Sequence, residues 1–118
     1  MKSDNYSQHA DTKNLLESMV EVIVEIASPE KIILFGSQAR GTAREDSDYD
    51  FLIIDAEPFD GGRSRWQSVS KLGRALAKFR VPKDILLYSA KEVEQRRHWQ
   101  NNVVSYALEE GKVLYERA

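Results

Sequence analysis

Cysteine is absent from this chain of 118 residues, which excludes a disulfide framework, a thiolate metal site and a cysteine nucleophile. No apolar run approaches the roughly 20 residues that a membrane-spanning helix needs. The polar N-terminus lacks the apolar core of a signal peptide, so we expect a cytoplasmic protein without membrane contact. A net charge of −2 provides no overall basic field, so direct binding to nucleic acid is not expected.

Length and composition predict one globular domain. Apolar residues make up 42% of the chain and charged residues 31%, which is ordinary for a globular protein. The length is sufficient for a single core but not for two. Residues 1–10 are polar and show no periodicity, so we expect a flexible tail there and a single domain over residues 11–118.

Hydrophobic periodicity predicts alternating helices and strands, and therefore an α/β (α+β) fold in which helices flank a mixed β-sheet. The second helix is expected to place Trp66 on its apolar face, and Gly111 is expected to close the third helix in the left-handed conformation. The predicted helices span residues 11–27, 63–80 and 90–110, and the predicted strands span residues 31–35, 48–54, 84–89 and 112–116.

The connections between the predicted strands bring several polar residues to one edge of the sheet. A full helix separates the second strand from the third, which favours a parallel pair, whereas the short link between the first and second strands favours an antiparallel pair. Gly36 and Ser37 end the first strand, Asp48 and Asp50 begin the second, and Asp84 begins the third. We therefore expect these five residues to meet.

Acidic side chains at such an edge indicate a metal site. Asp48 and Asp50 are two residues apart, so on a strand their carboxylates point to the same face and repel each other unless a cation lies between them. Oxygen ligands beside a phosphate suit Mg²⁺, and Asp84 would make room for a second ion.

The residues after the first strand favour an anion. Gly36 has no side chain to obstruct a phosphate, and Ser37 offers a hydroxyl and an N–H group. Arg40 and Arg44 would neutralise a triphosphate. Each feature alone is more often an ordinary turn or a solvated pair, but together at one edge they indicate a site.

Two other phosphate or metal motifs fail on the sequence. A P-loop begun at Gly36 would need lysine where Thr42 stands. An EF-hand begun at Asp46 would need glycine where Phe51 stands, and its flanks read as strand rather than helix.

With these residues, the chain resembles the minimal nucleotidyltransferases of the DNA polymerase β-like superfamily. The match is the pattern G-S-x10-D-x-D, followed by a carboxylate on a later strand. The segments "LFGSQARGTAREDSDYDFLI" and "ALEEGKVLYE" are similar to this family, and the resemblance extends from the first helix to the end of the chain. The matching residues are Gly36, Ser37, Asp48, Asp50 and Asp84.

The resemblance implies a nucleotidyltransferase fold and Mg²⁺-dependent transfer of a nucleoside monophosphate, with AMP from ATP expected. Gly36, Ser37 and Arg40 would hold the triphosphate. Asp48 and Asp50 would bind two Mg²⁺ ions, and Asp84 would complete the metal site and help deprotonate the acceptor hydroxyl.

The resemblance also implies a partner. Short members of this family pair with a small helical HEPN-type protein in toxin–antitoxin modules, where the transferase is the antitoxin, so we expect an acceptor hydroxyl on such a partner. Two alternatives stay open: a non-catalytic module that neutralises a partner by covering it, and a stand-alone transferase for a small molecule. Homo- or hetero-oligomers are both compatible with the sequence. Trp99 is expected to pack or to anchor an interface, and His98 is expected to face a partner or solvent. The arginines at 63, 65, 96 and 97 are expected to lie in solvent, and a basic rim for RNA or an acidic partner stays open.

Overall fold

The computed structural model describes residues 4–44 and 47–118, with side chains described from Leu15 onward. Helices and strands alternate along these ranges as the hydrophobic pattern predicts. The elements are α1 (Asp4–Ala27), β1 (Lys31–Phe35), α2 (Ser37–Arg40), β2 (Tyr49–Asp55), α3 (Arg65–Leu76), β3 (Lys83–Ser89), α4 (Ala90–Arg96), α5 (Val103–Glu110) and β4 (Lys112–Glu116).

The strands form one mixed sheet in the order β3-β2-β1-β4. β1 is antiparallel to both β2 and β4, and β2 is parallel to β3. The parallel pair follows from the helix that separates its strands, since a parallel connection must return the chain to the same edge. The expected α/β fold with a mixed sheet is therefore confirmed.

Helices cover both faces of this sheet. Alternate residues of β1 enter different apolar clusters: Ile32 and Leu34 pack with α1 and α3, whereas Ile33 and Phe35 pack with α4 and α5. Burial on both faces explains why β1 reads as a continuous apolar run rather than an alternating one. None of the described helices is long and apolar enough to cross a membrane.

The first helix is longer than the sequence predicts. α1 begins at Asp4 rather than at Asp11 or Thr12, so residues 4–10 are helical. Polar residues without an apolar stripe give no period from which this extension could be recognised. The flexibility expected of residues 1–10 stays a prediction, and residues 1–3 of that segment lie outside the described residues.

The single helix predicted over residues 90–110 is wrong, because two helices occupy that segment. α4 ends at Arg96, and α5 begins after Asn102, whose side-chain oxygen accepts a hydrogen bond from the Val104 amide at 2.9 Å. Asn101 has a positive φ of 55°. Asparagine tolerates that conformation and caps helices well, so the Asn-Asn pair breaks the helical run.

Gly111 is required for a different reason from the one expected. Its φ is −84°, an extended conformation rather than a left-handed one. An added Cβ would lie 2.5 Å from the Ala107 carbonyl oxygen and 2.5 Å from the Ile33 Cγ2 atom. Glycine therefore lets the end of α5 approach β1 closely.

The apolar face of α3 also differs from the prediction. The helix spans Arg65–Leu76 and is capped by Ser64, whose hydroxyl accepts a hydrogen bond from the Gln67 amide. Leu72 is fully buried, whereas Trp66 is 75% exposed and does not join the core.

Candidate functional site

The end of β1 and the start of β2 lie side by side at one edge of the sheet. Phe35 pairs with Asp50 in the antiparallel register, and Gly36 follows Phe35 directly. Gly36 has φ 78° and ψ −160°, a conformation open essentially only to glycine. A Cβ at Gly36 would overlap the Asp50 Oδ2 atom. The carboxylate of Asp50 is thus pressed against the backbone of the Gly-Ser turn.

The start of β3 adds a second carboxylate beside Asp50. Asp50 and Asp84 are direct neighbours in the parallel register of β2 and β3. The Tyr49 amide donates a hydrogen bond to the Pro82 carbonyl oxygen at 3.0 Å, which fixes the two strand starts relative to each other. Asp48 precedes β2 and is exposed, as is Asp84. The register thus places Asp50 and Asp84 side by side, with Asp48 just before the start of β2.

The charges at this edge act on one another. Partial burial raises the pKa of Asp50, and the charges of Asp84 and Asp48 raise it further, while Arg40 opposes the shift. Within the described ranges, no three acidic or imidazole side chains are gathered into a ready-made metal-binding group. Carboxylates that repel each other are expected to stay apart until a cation offsets their charge. Their oxygen atoms are the ligands that Mg²⁺ prefers, so the donor set fits that ion.

A single turn of helix, α2, carries the Gly-Ser turn into the following loop. The amides of Ala39 and Arg40 both donate to the Gly36 carbonyl oxygen at 3.1 Å, and Gly41 ends the turn in the left-handed conformation. Ser37 is half-buried at the start of this turn, and Arg40 is exposed at its end. The turn therefore places Ser37 and Arg40 beside the carboxylates, on the side of β1.

A tyrosine that the sequence did not single out reaches this edge from α5. Arg40 Nη1 donates a hydrogen bond to the Tyr106 hydroxyl. The Tyr106 ring packs edge-on against Phe35, with centroids 6.2 Å apart and planes at 84°. The two bonded residues are 66 positions apart, so no local sequence pattern could pair them.

A concave surface lies beside Tyr106, between α4 and α5. It encloses about 690 Å³. Three of its lining side chains are large, apolar or aromatic and exposed: Trp99 (52%), Val103 (40%) and Tyr106 (38%). His98 also lines it. An exposed apolar surface of this kind is typical of a site where a partner molecule binds. We call it the α4–α5 groove.

Several of the arginines expected in solvent also make specific contacts, while Arg63 and Arg97 stay exposed. Arg63 donates to the buried Asp55 carboxylate at 2.8 Å. The Arg96 guanidinium lies over the rings of Tyr88 and Trp99, at 4.9 and 5.2 Å from their centroids. The first contact ties the end of β2 to the loop before α3, and the second ties the end of β3 to Trp99 of the α4–α5 groove. The salt bridges within the described ranges are Lys31–Glu116, Arg63–Asp55, Arg65–Glu92 and Arg97–Glu94.

Comparison with known proteins places this arrangement in a family. Residues 16–114 match the profile described as a nucleotidyltransferase domain. Over 87 residues the chain is 37% identical to "Putative protein adenylyltransferase MJ0604" of Methanocaldococcus jannaschii, an alignment that spans 72% of this chain and 77% of the relative.

Solved structures share the fold. A toxin–antitoxin complex with AMP-PNP superimposes with a TM-score of 0.53 and 24% identity, over 86% of this chain and 73% of the other. A variant of the toxin–antitoxin pair MntA-HpeT, in which two aspartates two positions apart are replaced with glutamate, gives a TM-score of 0.52 and 18% identity, over 86% and 72%. Because the family profile covers most of the chain and the relative is similar over most of its length, this chain belongs to the nucleotidyltransferase domain family and is a nucleotidyltransferase.

Proposed function

We propose that the protein transfers AMP from ATP, with Mg²⁺, to a hydroxyl group on a protein partner. The observation that carries this proposal is the register of the sheet, which sets Asp50 beside Asp84 and presses Asp50 against Gly36. Carboxylates for a metal and a turn suited to phosphate are thereby joined at one edge. A transfer reaction at a phosphate needs both.

The three carboxylates are the proposed metal ligands. Asp48 and Asp50 would bind two Mg²⁺ ions, and Asp84 would complete the metal site. When bound, Mg²⁺ would offset the phosphate charge and make the acceptor hydroxyl more acidic. The mutual repulsion of the carboxylates is the physical reason to expect a cation there.

The Gly-Ser turn and α2 are the proposed triphosphate site. Gly36 leaves its backbone open, and Ser37 can donate from its hydroxyl. Arg40 would face the terminal phosphates, since the α-phosphate must lie next to the carboxylates. Its guanidinium would bind the negative charge of these phosphates in the bound nucleotide.

The proposed reaction is an in-line displacement at the α-phosphorus. The acceptor oxygen forms a bond to this phosphorus while the bond from the phosphorus to the oxygen that bridges the α- and β-phosphates breaks. Pyrophosphate leaves with that electron pair, and the hydroxyl proton passes to the Asp84 carboxylate and then to solvent. The product is a phosphodiester between AMP and the acceptor.

The choice of nucleotide and partner rests on the comparisons and on the family resemblance. The relative from M. jannaschii carries the name of a protein adenylyltransferase, and one solved neighbour is a toxin–antitoxin complex with AMP-PNP. We propose that this chain is likewise the antitoxin of a toxin–antitoxin module in the cytoplasm, and that its partner is a small helical HEPN-type toxin. The α4–α5 groove offers exposed aromatic side chains, Trp99 and Tyr106, of the kind that anchor protein interfaces. A docked partner would supply the orientation that an acceptor-binding domain otherwise provides.

Intact-mass spectrometry of the partner tests the proposal. Incubation with ATP, Mg²⁺ and the wild-type protein should add one or more AMP groups, and Asp48→Asn or Asp50→Asn should abolish the adduct while the fold persists. Asp60→Asn, a change of the same kind on an exposed loop, is the matched control and should leave the adduct unchanged. An unmodified partner alongside labelled RNA or a labelled small molecule would contradict the protein-acceptor proposal.

Asp84 gives a finer test of the same site. If it acts on the acceptor and on the second metal, Asp84→Asn should keep affinity for ATP and Mg²⁺ within several-fold while kcat falls at least about 100-fold. Equal losses in affinity and kcat would place Asp84 in the nucleotide pocket instead.

Neutralisation by covering the partner is the second candidate, favoured by the exposed apolar side chains of the α4–α5 groove. The Asp48→Asn/Asp50→Asn double variant separates the two. If cells stay protected from the partner by this inactive variant, covering explains the protection. If protection disappears while the complex still forms, catalysis explains it.

A further inference from the structure

We infer that Tyr106 is a positioning residue that fixes the Arg40 guanidinium for the terminal phosphates of the nucleotide. This inference rests on the proposed function, and it adds a residue outside the sequence motif. Tyr106 would act through Arg40 and through no contact of its own with the reacting phosphorus.

Arg40 lies on a short element and has few restraints from its own neighbours in the chain. It stands at the end of a single helical turn, followed by Gly41, and its side chain is exposed. A long exposed side chain loses conformational entropy when a ligand fixes it, so a partner that fixes it beforehand improves binding. Within residues 15–44 and 47–118, the Tyr106 hydroxyl is the only side-chain group that bonds the Arg40 guanidinium.

Tyr106 is itself held firmly by its helix. Its neighbours Val104 and Ala107 are fully buried against the sheet, so α5 cannot shift easily. The Tyr106 ring packs edge-on against Phe35. That residue precedes Gly36 and pairs with Asp50. The end of β1 therefore leads directly into the Gly-Ser turn and also contacts Tyr106, the residue that holds Arg40.

This arrangement fixes the position of the positive charge on Arg40. An arginine tethered to the same strand end as the phosphate turn keeps its guanidinium at one place relative to the carboxylates. A hydroxyl can accept from the guanidinium and leave its charge intact, whereas a carboxylate partner would neutralise it. Tyrosine is thus suited to hold an arginine that must still bind an anion.

Equilibrium binding of AMP-PNP with Mg²⁺, measured by calorimetry, tests the inference. Tyr106→Phe keeps the ring and removes the hydroxyl, and it should weaken binding about fivefold, as expected for one lost hydrogen bond to a charged group at an exposed site. In transfer assays the same variant should raise KM for ATP by a similar factor with kcat nearly unchanged. Tyr115→Phe, on the opposite face of the sheet, is the matched control and should bind as the wild type does.

A double-mutant cycle with Arg40→Ala decides whether Tyr106 acts through the arginine. The hydroxyl should matter only when Arg40 is present, so Tyr106→Phe should change nothing further in the Arg40→Ala background. If the losses of affinity in the two single variants multiplied in the double variant, the inference would be overturned. Wild-type affinity in Tyr106→Phe would also overturn it, and so would loss of the fold of that variant, measured by circular dichroism. In those cases the wild type still binds AMP-PNP and the proposed function stands. If the wild type itself does not bind AMP-PNP, the proposed function and this inference fall together.

Discussion

Replacing Gly36 with alanine should affect stability and activity for two separate reasons. The backbone at Gly36 has φ 78° and ψ −160°, which costs a residue with a side chain about 1–3 kcal/mol. The new Cβ would also overlap the Asp50 Oδ2 atom. Because a carboxylate can rotate away, that overlap costs little free energy of unfolding. It does, however, move the Asp50 carboxylate out of its place at the sheet edge.

We therefore expect Gly36→Ala to lower the free energy of unfolding by about 1–3 kcal/mol, and the melting temperature by about 4–12 °C for a domain of this size. AMP transfer should fall at least about 100-fold, since a displacement of about 1 Å in a reacting group can cost that much. Urea denaturation and initial transfer rates, both at a temperature where the variant is folded, measure the two effects.

Gly41→Ala is the matched control for the backbone. Gly41 has a similar φ of 79°, but none of the described residues lies within 4 Å of the position that its Cβ would take. Its substitution should cost about 1–2 kcal/mol of stability while transfer continues at close to the wild-type rate. If Gly36→Ala transferred AMP as fast as Gly41→Ala does, the contact of Asp50 with the Gly-Ser turn would not matter for catalysis. The proposed placement of Asp50 in the active site would then be refuted.

Three further predictions concern the carboxylates, the α5–β1 contact and α3. Burial and the neighbouring carboxylates raise the pKa of Asp50, so its contribution to stability is complete below the ordinary value of 3.8 and is lost as pH rises through the raised value. With chelator present, Asp50→Asn should be more stable than the wild type at pH 7 but not at about pH 3, and parallel pH profiles in urea denaturation would contradict this. Gly111→Ala should destabilise the fold by about 1–3 kcal/mol or more in urea denaturation, because its Cβ would meet backbone oxygens that cannot rotate away; a neutral effect would show that this contact is loose. Leu72→Ala should cost about 2–5 kcal/mol and Trp66→Ala less than about 0.5 kcal/mol, since the leucine is fully buried and the tryptophan is 75% exposed; equal costs would place both side chains in the core.

The sequence determined the sheet and the residues that lie at its candidate site. Apolar runs with a helix or a short link between them require particular strand directions, and those directions bring Gly36, Asp50 and Asp84 together. Side-chain alternation along a strand has a period of two, so the face of each residue can be counted from the letters. Because strand geometry is local and repetitive, the pattern of apolar residues was sufficient to predict the strands and their directions.

Only the tertiary structure decided the contacts between distant elements. The bond from Arg40 to Tyr106 joins residues 66 positions apart, and the exposure of Trp66 depends on how α3 packs against its neighbours. Gly111 is a second example. Its identity suggested a left-handed helix cap, whereas glycine is needed there because Ile33 and Ala107 lie too close to leave room for a Cβ atom. Local propensity restricts the dihedral angles of a residue, but which atoms meet across the fold depends on the packing of all its elements at once.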